Sequence, residues 1–221
     1  MYKVKTKDNK VIAEIHFLTD KKEIKNKHVI KIIEKTLIKG SSEIPLLNKK
    51  IAVFSTKDPF IKNKMNGVSG DTLHENIISL YISPVKDWKR ALVETMVHEC
   101  SHLYVLDNNQ WKTILDSLIS EGIAEIFREE IVGGKPAPWT KALTEKQAKE
   151  VLKKLKSERK LSKKVEEMHQ ELFFGSKDYK MWTGYSLGYQ IVKKFRKKYP
   201  EMKWKEIMKM DFKELFRKSD F

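Results

Sequence analysis

The chain has 221 residues, of which 40% are hydrophobic and 34% are charged. This apolar content suffices for one sizeable core or two smaller lobes, and it excludes an extended disordered chain. The formal net charge is +15, yet residues 81–130 sum to −4 while residues 141–221 sum to +11. Because clustered carboxylates repel one another unless a cation offsets them, the acidic middle predicts a cation site.

Cysteine content and hydropathy indicate the compartment. The single cysteine, Cys100, excludes an intramolecular disulfide and a cysteine-cluster metal site, and it fits a reducing environment. The first 17 residues are charged early and then alternate, without the apolar core of a signal peptide. No uncharged apolar run approaches the ~20 residues that a membrane span needs. We therefore expect a soluble, cytoplasmic protein that does not act at a membrane.

Hydrophobic spacing predicts a strand-rich first half. Alternation predicts a strand over Val11–Phe17, and helical spacing predicts a helix over residues 28–38. Short apolar runs predict strands over residues 51–54 and 76–83. Between these two runs, the glycine-punctuated segment MNGVSG is a candidate edge strand.

The pattern then becomes helical. A long helix is expected from Asp87, a plausible N-cap, to about Leu106, and a second one follows until Gly133 and Gly134 end it. Further helices are expected near residues 143–157, 163–173, 179–198 and 203–217. These elements predict an α+β fold. Residues 1–108 would form a sheet-and-helix lobe and residues 109–221 a helical lobe, the two making one catalytic unit.

The first long helix contains the sequence HECSH, residues 98–102. Histidines four residues apart lie on one face of a helix, so the imidazole nitrogens of His98 and His102 can converge on one zinc ion. Glu99 is then placed to act on a water activated by that metal. The alternative for all three residues is a surface helix with fortuitous ion pairs.

A catalytic zinc site needs a third protein ligand from a neighbouring element. Glu121 follows His102 after 18 residues, on the second helix, beside an apolar stripe where a carboxylate requires a partner. Glu125 lies one turn further on the same face, where it could orient a zinc-ligating imidazole by a hydrogen bond. The alternative for Glu125 is an exposed acid that pairs with Arg128.

These paired motifs resemble those of known zinc peptidases. HECSH, followed after 18 residues by the first glutamate of SEGIAE, is similar to the zinc motifs of the gluzincin metallopeptidases. With the later segment WTGYSLGYQIV, they more closely resemble a bacterial and archaeal family called predicted zinc-dependent proteases. The resemblance covers roughly residues 50–195. It implies a zincin-like fold, zinc on His98, His102 and Glu121, Glu99 as general base and acid, and peptide or protein substrates.

Two other features of the motif region are open to interpretation. Zinc peptidases commonly use a donor that stabilises the oxyanion of the tetrahedral intermediate, and Tyr185 and Tyr189 are candidates for that role. On a helical wheel Tyr185 lies nearer the buried arc and is our first choice, although both could be ordinary core tyrosines. Cys100 points away from His98 on the wheel, so we expect a small core residue rather than a ligand.

The resemblance also bears on the mode of cleavage. Aminopeptidase N-like gluzincins carry an upstream Gly-x-Met-Glu-Asn segment whose glutamate holds the substrate's amino terminus, whereas this chain has only MNGVSG near that place. We therefore expect an endopeptidase, with Glu75 and Glu94 as possible substitutes for the missing glutamate.

The alternative function is that of a basic nucleic-acid-binding protein with a structural or vestigial zinc site. Two lysine-rich stretches, residues 153–164 and 193–198, could contact phosphates. Aromatic residues are rarely interleaved with them, and 12 acidic residues lie among the last 81. We therefore expect weak, nonspecific nucleic acid binding at most.

Overall fold

A computed structural model describes the chain over residues 1–6, 8–18, 26–74, 76–109 and 111–221. Contacts between residues divide the chain into two units, Met1–Asp107 and Asn108–Phe221. The first unit combines a mixed sheet with helices and the second is helical, so the α+β class is confirmed. That the two units act as one catalytic unit stays a prediction.

The described part of the first unit contains five strands and three helices. They are β1 (Tyr2–Lys5), β2 (Val11–Phe17), α1 (Asn26–Ser41), β3 (Lys49–Ser55), α2 (Pro59–Lys64), β4 (Val68–His74), β5 (Ile77–Ile82) and α3 (Trp88–Leu106). Sequence spacing predicted β2 and placed α1, β3 and β5 within three residues at each end. It missed β1 and α2, which are short.

The strands form one mixed sheet in the order β1-β2-β3-β5-β4. The three central strands run parallel, and the two edge strands pair antiparallel with their neighbours. The glycine-containing segment was expected at an edge, and β4 is indeed an edge strand that begins at Val68. Its pairing with β5 is irregular between Asp71 and His74.

Helix α3 packs against β4, β5 and α1, and its residues are buried almost without interruption from Met96 to Val105. Its start differs from the prediction in one respect. Asp87 occupies the N-cap position but has a φ of 66°, in the left-handed region, and its side chain makes no capping hydrogen bond. The position was therefore correct and the capping interaction was wrong.

The described part of the second unit is built from six helices. They are α4 (Ile114–Val132), α5 (Glu145–Ser157), α6 (Val165–Phe174), α7 (Thr183–Lys198), α8 (Trp204–Ile207) and α9 (Phe212–Ser219). The helix expected over 203–217 is therefore two helices. Asp211 separates them because its side chain accepts a hydrogen bond from the backbone N–H of Glu214 at 2.9 Å and starts α9.

Helices α4 and α7 approach each other at two glycines. A Cβ added to Gly188 would lie 2.0 Å from the backbone oxygen of Leu118, and one added to Gly122 would lie 2.2 Å from the backbone oxygen of Gly188. Only glycine permits this separation, because the atoms in the way belong to backbone that cannot rotate aside.

We therefore expect Gly188→Ala to lower the free energy of unfolding by about 1–3 kcal/mol, measured by chemical denaturation. Gly40→Ala is the matched control, since a Cβ at that helical position meets no atom within 4 Å. The control should be neutral or stabilising by up to about 1 kcal/mol, because alanine has the higher helix propensity. Equal effects of the two substitutions would contradict this account of the glycine contact.

Candidate metal centre

Helix α3 brings His98 and His102 together. They lie one turn apart, with their Nε2 atoms 3.0 Å from each other and their rings edge to face at a centroid distance of 4.7 Å. His102 is buried and His98 is half-buried. The helix thus aims two imidazole nitrogens at a common point, as the spacing of four residues predicted.

The end of this helix is tied to the sheet by a buried lysine. Lys49 on β3 is 4% exposed and donates to both carboxylate oxygens of Asp107, at 2.9 and 2.7 Å. It also donates to the side-chain oxygen of Asn76 at 3.1 Å. Lys49 is buried while the Asp107 side chain is 34% exposed, and their contact links the C-terminal end of α3 to the sheet.

Glu99 is also buried, on the part of α3 that faces β4. Its Oε2 atom accepts a hydrogen bond from the hydroxyl of Thr72 at 2.7 Å. Sequence reasoning missed Thr72, because nothing in the pattern of β4 links a threonine to a glutamate 27 residues later.

Helix α4 carries Glu121 and Glu125, both buried. The helix begins with a capping box in which the Thr113 hydroxyl accepts from the Asp116 N–H and the Asp116 carboxylate accepts from the Thr113 N–H. Leu118, Ile123 and Phe127 are fully buried, and the Phe127 ring packs edge-on against Trp204 at a centroid distance of 5.2 Å. The carboxylates are therefore carried on a well-fixed element.

His98, His102 and Glu121 form a cluster that could hold a metal ion. One ligand atom from each side chain lies within 4.8 Å of the other two. Among the residues that the structure describes, no other group of three His, Cys, Asp or Glu side chains meets this condition. Two imidazoles and one carboxylate are a donor set that suits zinc.

Glu125 is fully buried, so its interpretation as an exposed acid was wrong. The expected partner is nevertheless present, because Arg128 donates to Glu125 Oε2 from Nε at 3.1 Å and approaches it with Nη2 at 3.0 Å. The indole N–H of Trp139 donates to Oε1 at 2.7 Å. Sequence reasoning missed Trp139, which lies 14 residues away. A bond from Glu125 to an imidazole stays a prediction.

The two tyrosines of α7 differ from the helical-wheel estimate. Tyr189, not Tyr185, is the more buried, with 5% of its surface exposed, because its ring lies where α7 meets α4. The Tyr189 hydroxyl donates to Glu129 Oε2 at 3.1 Å. Burial raises the pKa of the Glu129 carboxyl group and that of the Tyr189 hydroxyl. The shift is larger for Tyr189, because the negative charge of the Glu129 carboxylate raises the pKa further. The ring of Tyr185 packs edge-on against Phe173 at 5.0 Å.

Cys100 is buried in the core, as expected, and burial raises the pKa of its thiol to about 12. Such a thiol remains protonated at neutral pH and does not behave as a reactive group.

Glu94 and Glu75 were the possible substitutes for the glutamate that an aminopeptidase requires. Glu94 accepts a hydrogen bond from Arg90 at 2.9 Å, and Glu75 lies outside the described residues.

Comparison with known proteins gives one match. Residues 27–217 match the model of a family described as Predicted Zn-dependent protease (DUF2268). The chain belongs to this family, which confirms the resemblance to predicted zinc-dependent proteases that the motifs indicated. Comparisons with curated proteins and with solved structures found no match.

Within the described part of the chain, no helix is long and apolar enough to cross a membrane.

Proposed function

We propose that this protein is a zinc-dependent peptidase of the gluzincin type with a zincin-like fold. His98, His102 and Glu121 would hold the metal, and Glu99 would act as general base and acid. The observation that carries the proposal is the convergence of two imidazole nitrogens and a carboxylate oxygen to within 4.8 Å. Membership of a family described as predicted Zn-dependent proteases supports the same reading.

The donor set fits zinc. Three protein ligands leave a fourth coordination position open, which distinguishes catalytic zinc sites from structural ones. When bound there, zinc would supply Lewis acidity, polarising a peptide carbonyl and lowering the pKa of a water molecule. Glu99, Glu121 and Glu125 are three of the nine acidic residues in the negatively charged segment 81–130.

The position of Glu99 supports a role in proton transfer. It follows a proposed ligand directly and lies buried beside β4. In the proposed mechanism its carboxylate accepts a proton from the attacking water and delivers it to the leaving amine nitrogen. Glu125 would hold one of the imidazoles in position, with Arg128 and Trp139 fixing its carboxylate in turn.

An oxyanion donor completes the proposal. Tyr185 and Tyr189 are the candidates, with Tyr185 still our first choice from the sequence, and the Tyr189 hydroxyl donates to Glu129 Oε2 at 3.1 Å. A hydroxyl directed at the developing negative charge would stabilise the tetrahedral intermediate.

We further propose an endopeptidase. An aminopeptidase requires a carboxylate that pairs with the substrate's terminal ammonium. Of the two candidates for that role, Glu94 pairs with Arg90, and Glu75 lies outside the described residues. The proposal of an internal peptide bond as the target therefore rests on the absence of a Gly-x-Met-Glu-Asn segment from the sequence.

A peptide library whose members carry either free or acetylated N-termini tests the proposal, with products mapped by mass spectrometry. We expect internal cuts in both sets, abolished by a chelator and absent with Glu99→Gln. Stepwise removal of residues from free N-termini alone would contradict the endopeptidase assignment. No cleavage, together with tight oligonucleotide binding in about 200 mM salt, would instead favour the nucleic-acid alternative.

A further inference from the structure

Thr72 lies on β4, an edge strand of the sheet, with its hydroxyl directed at Glu99. Its Oγ1 atom donates to Glu99 Oε2 at 2.7 Å, and the two residues are only 6% and 5% exposed. A short hydrogen bond to a carboxylate shielded from water is among the stronger neutral-to-charged contacts in proteins. It therefore holds one oxygen of this carboxylate at a defined place.

The backbone of β4 is shaped around the same carboxylate. A Cβ added to Gly70 would lie 2.6 Å from Glu99 Cγ and 2.8 Å from Glu99 Oε1. The Glu99 side chain thus lies in space that a side chain at position 70 would occupy. Two residues later, at the irregularity in the pairing of β4 with β5, the strand presents Thr72. Such irregularities redirect side chains and occur often beside functional sites.

Together these contacts restrict the side-chain torsions of Glu99. Gly70 sets where the Glu99 chain can lie, and Thr72 holds its Oε2 atom. We infer that Thr72 is a positioning residue for the general base Glu99. The inference rests on the proposed function, because it assumes that Glu99 is the base.

Positioning of this kind acts on the chemical step. A general base displaced by about 1 Å can lose about 10²-fold in rate, whereas substrate binding elsewhere is unaffected. Removing the Thr72 hydroxyl should therefore lower kcat and leave KM unchanged. A purely structural threonine would instead change stability and affect catalysis only through the folded fraction.

The test compares Thr72→Val, which removes the hydroxyl at nearly constant shape, with Thr72→Ser, which keeps it. Thr36→Val is the matched control. Thr36 is buried in the same unit, and its hydroxyl donates to the backbone oxygen of Ile32 at 2.8 Å, away from Glu99. Each variant is loaded with zinc and assayed with a peptide that the native protein cleaves, and its zinc content and thermal midpoint are measured.

We expect Thr72→Val to lower kcat about 10- to 100-fold with KM within twofold and zinc retained. Thr72→Ser should recover most of the loss, and Thr36→Val should keep the native kcat. Gly70→Ala is a second variant that displaces Glu99 without removing a hydroxyl, and its kcat should fall as well. A kcat of Thr72→Val within twofold of native, or a loss that serine does not recover, would overturn the inference.

A measurement without turnover separates this inference from the proposed function. In zinc-free protein, the shifts in thermal midpoint caused by Thr72→Val and Glu99→Ala should fail to add in the double variant, because each substitution alone removes the hydrogen bond between the two side chains. Additive shifts would overturn the contact even if cleavage is seen. Absence of cleavage by the native protein would reject the proposed function, while non-additive shifts would still support the pairing of Thr72 with Glu99.

Discussion

Replacement of Glu99 by glutamine is expected to remove almost all peptide cleavage while the protein keeps its zinc. The amide cannot accept a proton from water, and general base catalysis alone contributes about 10²- to 10⁴-fold. The substitution preserves the size of the side chain and can retain the hydrogen bond from Thr72, whose hydroxyl meets Oε2 at 2.7 Å. The measurement is kcat/KM on a cleaved peptide together with zinc content by elemental analysis.

Glu94→Gln is the control for this experiment. Glu94 lies on the same helix, paired with Arg90, and the proposed mechanism gives it no part in endopeptidase cleavage. The control should therefore retain the native kcat/KM. Cleavage by Glu99→Gln within tenfold of native would show that another group is the base. Loss of zinc from that variant would place Glu99 among the ligands.

The second large effect is expected for His98→Ala, which should lose most of its zinc. The native protein should hold close to one zinc ion per chain after purification without chelator. Removing one of three ligands leaves an imidazole and a carboxylate, and metal affinity depends steeply on the number of ligands. Elemental analysis measures the zinc, and the thermal midpoint with and without added zinc shows whether binding still stabilises the fold.

His28→Ala is the matched control, because His28 is exposed on α1 and belongs to no metal cluster among the described residues. Its zinc content should equal that of the native protein. Full zinc occupancy in His98→Ala would remove His98 from the site. A native protein that holds no zinc, even after zinc is added, would contradict the metal centre as a whole.

Local periodicity explains which parts of the fold could be predicted. Strand β2 was placed to the residue because polar Glu14 and His16 alternate with apolar residues in its second half. The division at Asp211 was missed because the apolar residues on either side keep helical spacing, and the capping interaction that starts α9 is a single side-chain contact. Strand β1 has four residues, too few for alternation to be distinctive.

In the site, too, the residues that are close in sequence could be predicted and those that are distant could not. His98, Glu99 and His102 lie within about one turn of α3, so helical geometry alone brings their side chains near one another. Thr72 and Trp139 come from elsewhere in the chain, and only the folded structure shows their contacts.

Burial was likewise hard to read from the sequence. The alternative interpretation of Glu125, an exposed acid that pairs with Arg128, named the correct partner. It was wrong about exposure, because charged residues are usually exposed whereas this pair is buried. The wheel failed for Tyr189 for a related reason: it ranks positions around one helix but does not show which neighbours cover them.

The most direct test of the central claim is a zinc titration of metal-free protein in which bound zinc and peptide cleavage are measured on the same samples. A zinc-dependent peptidase should gain activity in proportion to bound zinc and reach its maximum near one ion per chain. Glu99→Gln should bind the same amount and stay inactive. Full peptide cleavage activity in the metal-free protein would contradict the account. So would binding of one zinc ion per chain without cleavage of any peptide in the library.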